Sequence, residues 1–309
     1  MRPPPTAFSF VALKSKIVRL VIAAIMLALV VLYARRVDWS AIRDRTADAS
    51  VTLLALSALG NLPLIWLKAQ RLRLLVGSRI EAPRLMGFYV ASYAADNLVM
   101  SQAGLGVRVA MLLKDGVPLA SAVTSQAVEK VLEGVALAML AVPVLATLEL
   151  QPELDASLRW FAIGGGIVVA VVLAAALVWR RKLRVVQRLA DVLAMLRDPV
   201  LAAKLVALSL AAWVAEVAIV LCTLWALHVQ VPEVVGPTLV LLAVNLAALV
   251  PGLPANVGPF EAACVLALGT FGVDAERALG FALVYHALHT IPVTLVGLPL
   301  LHRATRAAV

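Results

Sequence analysis

Charge is scarce in this sequence. Of its 309 residues only 15% are Asp, Glu, Lys or Arg, with 27 basic against 18 acidic side chains, whereas soluble domains carry about 25% charged residues. Cysteine is scarcer still. Cys222 and Cys264 both sit in apolar segments, which excludes a disulfide framework or a thiolate metal site. Histidine offers little more: His286 and His289 stand three apart, without a third ligand to complete a metal site. No glycine-rich phosphate loop is present, so nucleotide-driven work is not expected. No polar stretch is long enough for a soluble catalytic domain. What remains is apolar: the hydrophobic class makes up 63% of the chain, well above the 45–50% or so of soluble proteins. The chain reads as an all-α integral membrane protein, a single polytopic domain over 1–309. Its net charge of +9 falls in loops beside the membrane, so nucleic acid is not needed as a partner. The basic start MRPPPTAFSFVALKSKIVRL enters a long apolar run with no small-residue cleavage site, and is expected to be a retained first span.

Six full spans are expected, at Ile17–Ala34, Val51–Leu67, Leu119–Leu148, Leu158–Trp179, Leu201–His228 and Arg277–Leu301. The Lys/Arg bias of cytoplasmic loops places the N-terminus, the Lys68–Arg84 loop, the RRKLRVVQR loop and the C-terminus on the cytoplasmic side. The loops after the third and fifth spans, with Glu149, Glu153, Asp155 and Glu233, fall outside. A bacterial cytoplasmic membrane is the expected location.

Two apolar stretches do not fit a span. Residues 238–272 hold NLAALVPGLPANVGPFEAACVLALGTFG, broken by Pro251, Gly252, Pro254, Gly258 and Pro259. Residues 85–113 hold NLVMSQAGLGVRVAMLL, broken near Gly104 and Gly106. A span needs about 20 apolar residues, and proline ends a helix by removing a donor and clashing with the preceding turn. Each stretch therefore predicts two short helices with a hinge: Gly104 and Gly106 in the first, Pro251, Gly252 and Gly258 in the second. Irregular backbone at membrane depth is tolerated where protein buries it or it lines a wet cavity. With the charge bias, the two become re-entrant hairpins entering from opposite faces, one in each of two inverted repeats, 17–148 and 158–301. Such breaks point to a midplane binding site. Small residues also serve close helix packing, and that reading stays open.

Ionisable groups within apolar segments mark pathways by default, because each costs about 2.5–3.5 kcal/mol at a helix centre. The candidates are Asp96, Arg108, Glu129, Lys130, Glu133, Glu216 and Glu261. Arg108 follows two glycines at a helix start and could hold a phosphate, or pair with Asp96. Glu129 and Glu133 share a helix face beside Lys130. Glu216 is either a packing residue or the partner of a basic group. Glu261 could cap its own helix, counter Arg108 or Lys130, or carry a proton. His286 and His289 suit packing or proton handling. Asn97, Asn245 and Asn256 complete the candidate substrate-binding set of Arg108, Lys130, Glu129 and Glu261; no catalytic or metal-binding residue is expected.

The paired segments from Asn97 to Leu140 and from Asn245 to Leu288 resemble the lysylphosphatidylglycerol synthase transmembrane region, the flippase-like membrane domain of the multiple peptide resistance factor, also found as stand-alone proteins. The resemblance spans nearly the whole chain. Asn97, Gly104, Gly106, Arg108, Glu129 and Glu133 match its first motif, with Lys130 for the usual arginine. Pro251, Gly258 and Glu261 match its second, whereas Phe260 and His286 stand where arginine is usual. The family's aminoacyl-transferase part has no counterpart here, so no synthase activity and no cofactor are expected. The resemblance implies transbilayer movement of an amphipathic, anionic or phosphate-bearing lipid. Alternatives are a membrane-embedded enzyme, or a scaffold in lipid biosynthesis, for example of hopanoids or envelope glycolipids. The expected partners are the lipid, and a second copy or a lipid-biosynthetic enzyme.

Overall fold

The computed structural model describes residues 40, 43, 46–77, 80–99, 103–147, 198–248 and 254–306. The expected first and fourth spans, the RRKLRVVQR loop, and the hinge residues Pro251 and Gly252 lie outside the described residues. Within them the chain is all helical, with eight α-helices: α1 (Val51–Val76), α2 (Ala82–Leu98), α3 (Ala103–Lys114), α4 (Leu119–Thr147), α5 (Pro199–Ala226), α6 (Val235–Ala247), α7 (Pro259–Gly269) and α8 (Ala275–Arg306). A 3-10 turn, Pro254–Asn256, precedes α7.

Local chemistry sets the ends. Ser50 caps α1 by accepting the Leu53 amide at 3.5 Å, and Asp198 caps α5 by accepting the Val200 amide at 2.9 Å. Pro199 and Pro259 take first-turn positions that need no donor. α3 and α7 end alike. Gly116 (φ 81°) and Gly272 (φ 75°) adopt the left-handed conformation. Val117 then donates to Leu112 O at 3.0 Å, and Val273 to Leu268 O at 3.3 Å, a glycine stop followed by a new helix.

Helix lengths repeat along the chain. α1, α2, α3 and α4 have 26, 17, 12 and 29 residues; α5, α6, α7 and α8 have 28, 13, 11 and 32. The order long, short, short, long thus occurs twice. α1, α5 and Ala275–Arg303 of α8 are long and apolar enough to cross a membrane. α4 is as long but carries Glu129, Lys130 and Glu133. None of the four short helices reaches the 20 residues or so that a span needs.

Packing follows the same pattern. α1 lies along α5; α2 lies along α8, and α6 against α4. The first short helix of each set thus rests on the long helix that closes the other set. Gly104, in the first turn of α3, allows α2 and α3 to meet: a Cβ there would lie 2.2 Å from Ser92 O. The larger core joins Leu137, Trp213, Leu224, Leu239–Val244, Cys264 and Phe281; the smaller joins Ile65, Leu72, Leu85, Phe88, Tyr89 and Leu112.

Outward faces are apolar. On α1, Leu56, Leu59, Leu62 and Trp66 are exposed while Ser57, Asn61 and Arg71 are buried. On α8, Leu295, Val296 and Leu298 are exposed. Polar groups inside and aliphatic groups outside suit a lipid solvent. The chain is a multi-pass helical membrane protein.

α1 runs nine residues past the expected end of its span at Leu67. Lys68 and Arg71 are therefore helix residues, not loop residues. The first break also differs from expectation: Gly104 and Gly106 lie inside α3, and α2 ends ahead of them, at Leu98.

Candidate functional site

Arg71 and Arg108 grip one carboxylate. Glu129, on α4, is 1% exposed. Its Oε1 accepts from Arg71 Nη2 at 2.7 Å and its Oε2 from Arg108 Nη1 at 3.0 Å; the Tyr89 hydroxyl also donates to it. Arg71, 1% exposed, continues to Glu133 at 2.9 Å and to Ser209 at 3.2 Å. Arg108 adds Gln126 at 3.0 Å and Ser92 at 3.4 Å, and its guanidinium lies 4.0 Å from the Tyr89 ring centroid. Five helices, α1 to α5, thus meet at one buried cluster. Leaving either charge unpaired in such a place costs about 3–5 kcal/mol.

Beside the cluster lies a cavity of about 440 Å³. Lys68 (α1), Asp96 (α2), Arg108 (α3), Lys130 and Glu133 (α4), and Glu216 (α5) bring six charges to its wall, with Asn97, Asn245, Asn256, Tyr93 and Trp213 between them. Lys68 is held by Glu216 at 2.9 Å and Tyr93 at 3.3 Å. Lys130 meets Glu133 at 3.0 Å, but its side chain is 66% exposed, so this pair is weak. Three cations and three carboxylates balance along the wall.

Of the expected binding residues, Arg108, Lys130, Asn97, Asn245 and Asn256 line this chamber, and Glu129 lies directly behind Arg108. Asn97 donates to Thr294 at 2.9 Å, tying α2 to α8; Asn245 donates to Leu241 O of its own helix at 2.8 Å. Asn256 Oδ1 is buried without a hydrogen-bond partner among the described residues. Asp96 accepts the Gly104 amide at 2.8 Å, at the start of α3, while Arg108 takes Glu129 as its carboxylate partner. Glu216 is the partner of a basic group.

Glu261 stands apart from the wall and from Arg108 and Lys130. One oxygen accepts the Gly258 amide at 2.6 Å, capping α7; the other meets His286 Nδ1 at 2.6 Å. His286 Nε2 lies 2.9 Å from Ala255 O, and its ring stacks on Phe260 with centroids 4.3 Å apart. Phe260 and His286, the two departures from the second resembled motif, thus touch each other. Gly258, the one described hinge residue of this half, has φ 97° immediately before α7.

Sequence reasoning missed Lys68 and Arg71. Their signal is helical spacing: Ser57, Asn61, Leu64, Lys68, Arg71 and Leu75 recur on one face of α1, whereas Arg73, two residues on, is exposed.

Among the described residues no group of three metal-ligating side chains comes together. No curated protein and no solved structure matches the chain. A family model described as lysylphosphatidylglycerol synthase TM region matches residues 16–297, and the chain belongs to that family.

Proposed function

We propose that the chain moves a phosphate-bearing lipid across the membrane through the chamber between its short helices, leaving the lipid chemically unchanged. The observation that carries this reading is the wall itself: six charged side chains around about 440 Å³ inside a bundle whose outer faces are aliphatic. Charges at such depth are expensive and mark a path for a polar group. The head group would occupy the chamber while the acyl chains stay in lipid. Arg108 offers a forked donor set suited to phosphate, and Lys68 and Lys130 add point charges. Asn256 Oδ1, buried and unpartnered, suits a hydroxyl or ammonium on the same head group. Every cation here already has a carboxylate partner, so phosphate would enter by exchange: an arriving phosphate takes the place of Glu133 or Glu216.

In this reading the two sets of helices are inverted repeats, with six full spans and two re-entrant hairpins, α2–α3 and α6–α7. The doubled length order and the reciprocal packing of α2 on α8 and α6 on α4 support it, since two-fold-related repeats pair this way. The membrane would be the bacterial cytoplasmic membrane, with both termini inside. The principal partner is the lipid; a second copy or a lipid-biosynthetic enzyme could bind the outer faces.

The test is reconstitution of the purified protein with a fluorescent phospholipid and dithionite quenching of the outer leaflet. Wild type is expected to expose inner-leaflet probe, Arg108→Ala to slow it by about tenfold or more, and the extracted lipid to keep its mass. The reading fails if wild type and protein-free vesicles quench alike. A new lipid mass would instead favour an enzyme.

A further inference from the structure

His286 presents both ring nitrogens to acceptors. Nδ1 faces the Glu261 carboxylate at 2.6 Å and Nε2 faces the carbonyl of Ala255 at 2.9 Å. The carbonyl can only accept, so Nε2 must carry a proton. The short Nδ1 contact then needs a second proton between nitrogen and oxygen, on the imidazolium or on the carboxyl. Either way the pair holds one proton more than a neutral imidazole beside a carboxylate. Removing it leaves one hydrogen for two acceptors. It stays on Nδ1, facing the carboxylate charge, and the bare Nε2 lone pair then opposes Ala255 O.

What that bond holds is strained. Ala255 and Asn256 are both left-handed, with φ 58° and 59°, a conformation that alanine avoids because of its Cβ and that asparagine adopts more readily. The same two residues form part of the chamber wall. α7 itself is anchored separately, through the Gly258 amide to Glu261.

We propose that Glu261 and His286 form a proton-binding site whose occupancy holds the 254–258 turn against the chamber. With the proton bound, Nε2 clamps Ala255 O and the wall is closed there. When the proton leaves, the clamp opens and the turn relaxes from its left-handed conformation. The ligand is the proton, and the site gives the chamber a coupling ion without a nucleotide. Among the described residues, Glu261 is the ionisable group that His286 hydrogen bonds. Other titratable groups on the elements around it include Cys264 on α7, Tyr285 and His289 on α8, and, on the chamber wall, Lys68, Tyr93, Asp96, Arg108, Lys130, Glu133 and Glu216. The inference deepens the transport reading, on which its meaning as coupling rests, but the clamp is testable without transport.

The test is amide hydrogen exchange of peptides covering 254–258 in the full chain in lipid nanodiscs, corrected for the intrinsic effect of pH. In wild type, protection is expected to fall about tenfold or more as pH rises from about 6 to about 9. Glu261→Gln should keep the turn protected at both pH values: its amide nitrogen donates to Nδ1, its oxygen accepts from Gly258, and Nε2–H remains. His286→Phe should leave the turn unprotected throughout. Wild-type protection that does not change with pH overturns the proposal, as does Glu261→Gln changing as wild type does. Protection that switches without any lipid movement would remove the transport reading and leave the proton site standing.

Discussion

In the first set of helices the short helix α3 carries an arginine and the long helix α4 a carboxylate, joined as Arg108 and Glu129 at 3.0 Å. In the second set the short helix α7 carries the carboxylate and the long helix α8 the base, joined as Glu261 and His286 at 2.6 Å. One backbone arrangement thus holds two pairs of opposite polarity. Their surroundings differ as well. Glu129 is shared by two guanidiniums and a phenol, while Glu261 has one imidazole and one backbone amide. An arginine remains charged at any pH a cell meets, so the first pair is a fixed electrostatic post. The second pair joins an imidazole, whose two nitrogens share one hydrogen when neutral, to a carboxylate, and is the one that the proposal above makes able to change state. A repeated order of helices with one arginine pair and one imidazole pair would, on that proposal, offer both a place to hold charge and a means to alter it.

The largest effect that would break this comparison comes from Glu129→Ala. It leaves Arg71 and Arg108 buried without their common partner, a loss of about 3–5 kcal/mol. We expect most of the protein to lose its folded monodisperse peak on detergent size-exclusion, or its melting temperature to fall sharply. A variant as stable as wild type would mean the cluster is hydrated and the post is not a post. Gly104→Ala should come close behind, because its Cβ would sit 2.2 Å from a backbone oxygen that has no rotamer with which to yield.

How much of this was legible in the sequence depends on the kind of signal. Proline and glycine act locally, so the interruption before Pro259 could be read directly. Arg108, Glu129 and Glu133 stood out because a charge within an apolar run is rare. Lys68 and Arg71 did not, because they follow an apolar run and precede Arg73, Arg79 and Arg84, where composition reads as a loop. Only helical phase separates buried Arg71 from exposed Arg73. The role of Glu261 was open between a cap, a counter-charge and a proton carrier, since the answer depends on a residue 25 positions away.

A smaller change would sharpen the contrast. His286→Arg gives the second set a permanent cation like the first. If titration of His286 distinguishes the halves, the pH dependence of protection at 254–258 should vanish while the fold is kept, as read by the same exchange measurement. Persistence of the pH dependence would place the titrating group elsewhere, with His289 the nearest alternative on the same helix.

The smallest expected effect is at Lys130. It lines the chamber, as Arg108 does, yet its side chain is 66% exposed and its partner Glu133 keeps Arg71 at 2.9 Å. An exposed pair contributes about 0–1 kcal/mol, so Lys130→Ala should leave thermal stability within about 1 kcal/mol of wild type. Its remaining role is attraction. A cation at the mouth raises the local concentration of an anionic head group, an effect that salt screens within a Debye length of about 8–10 Å. Lipid movement by Lys130→Ala is therefore expected to fall modestly at low salt and to match wild type at high salt, whereas Arg108→Ala stays impaired at both. Equal loss at both salt concentrations would instead make Lys130 a direct ligand of the head group, on a par with Arg108, and the chamber would grip its cargo at the mouth as firmly as at its wall.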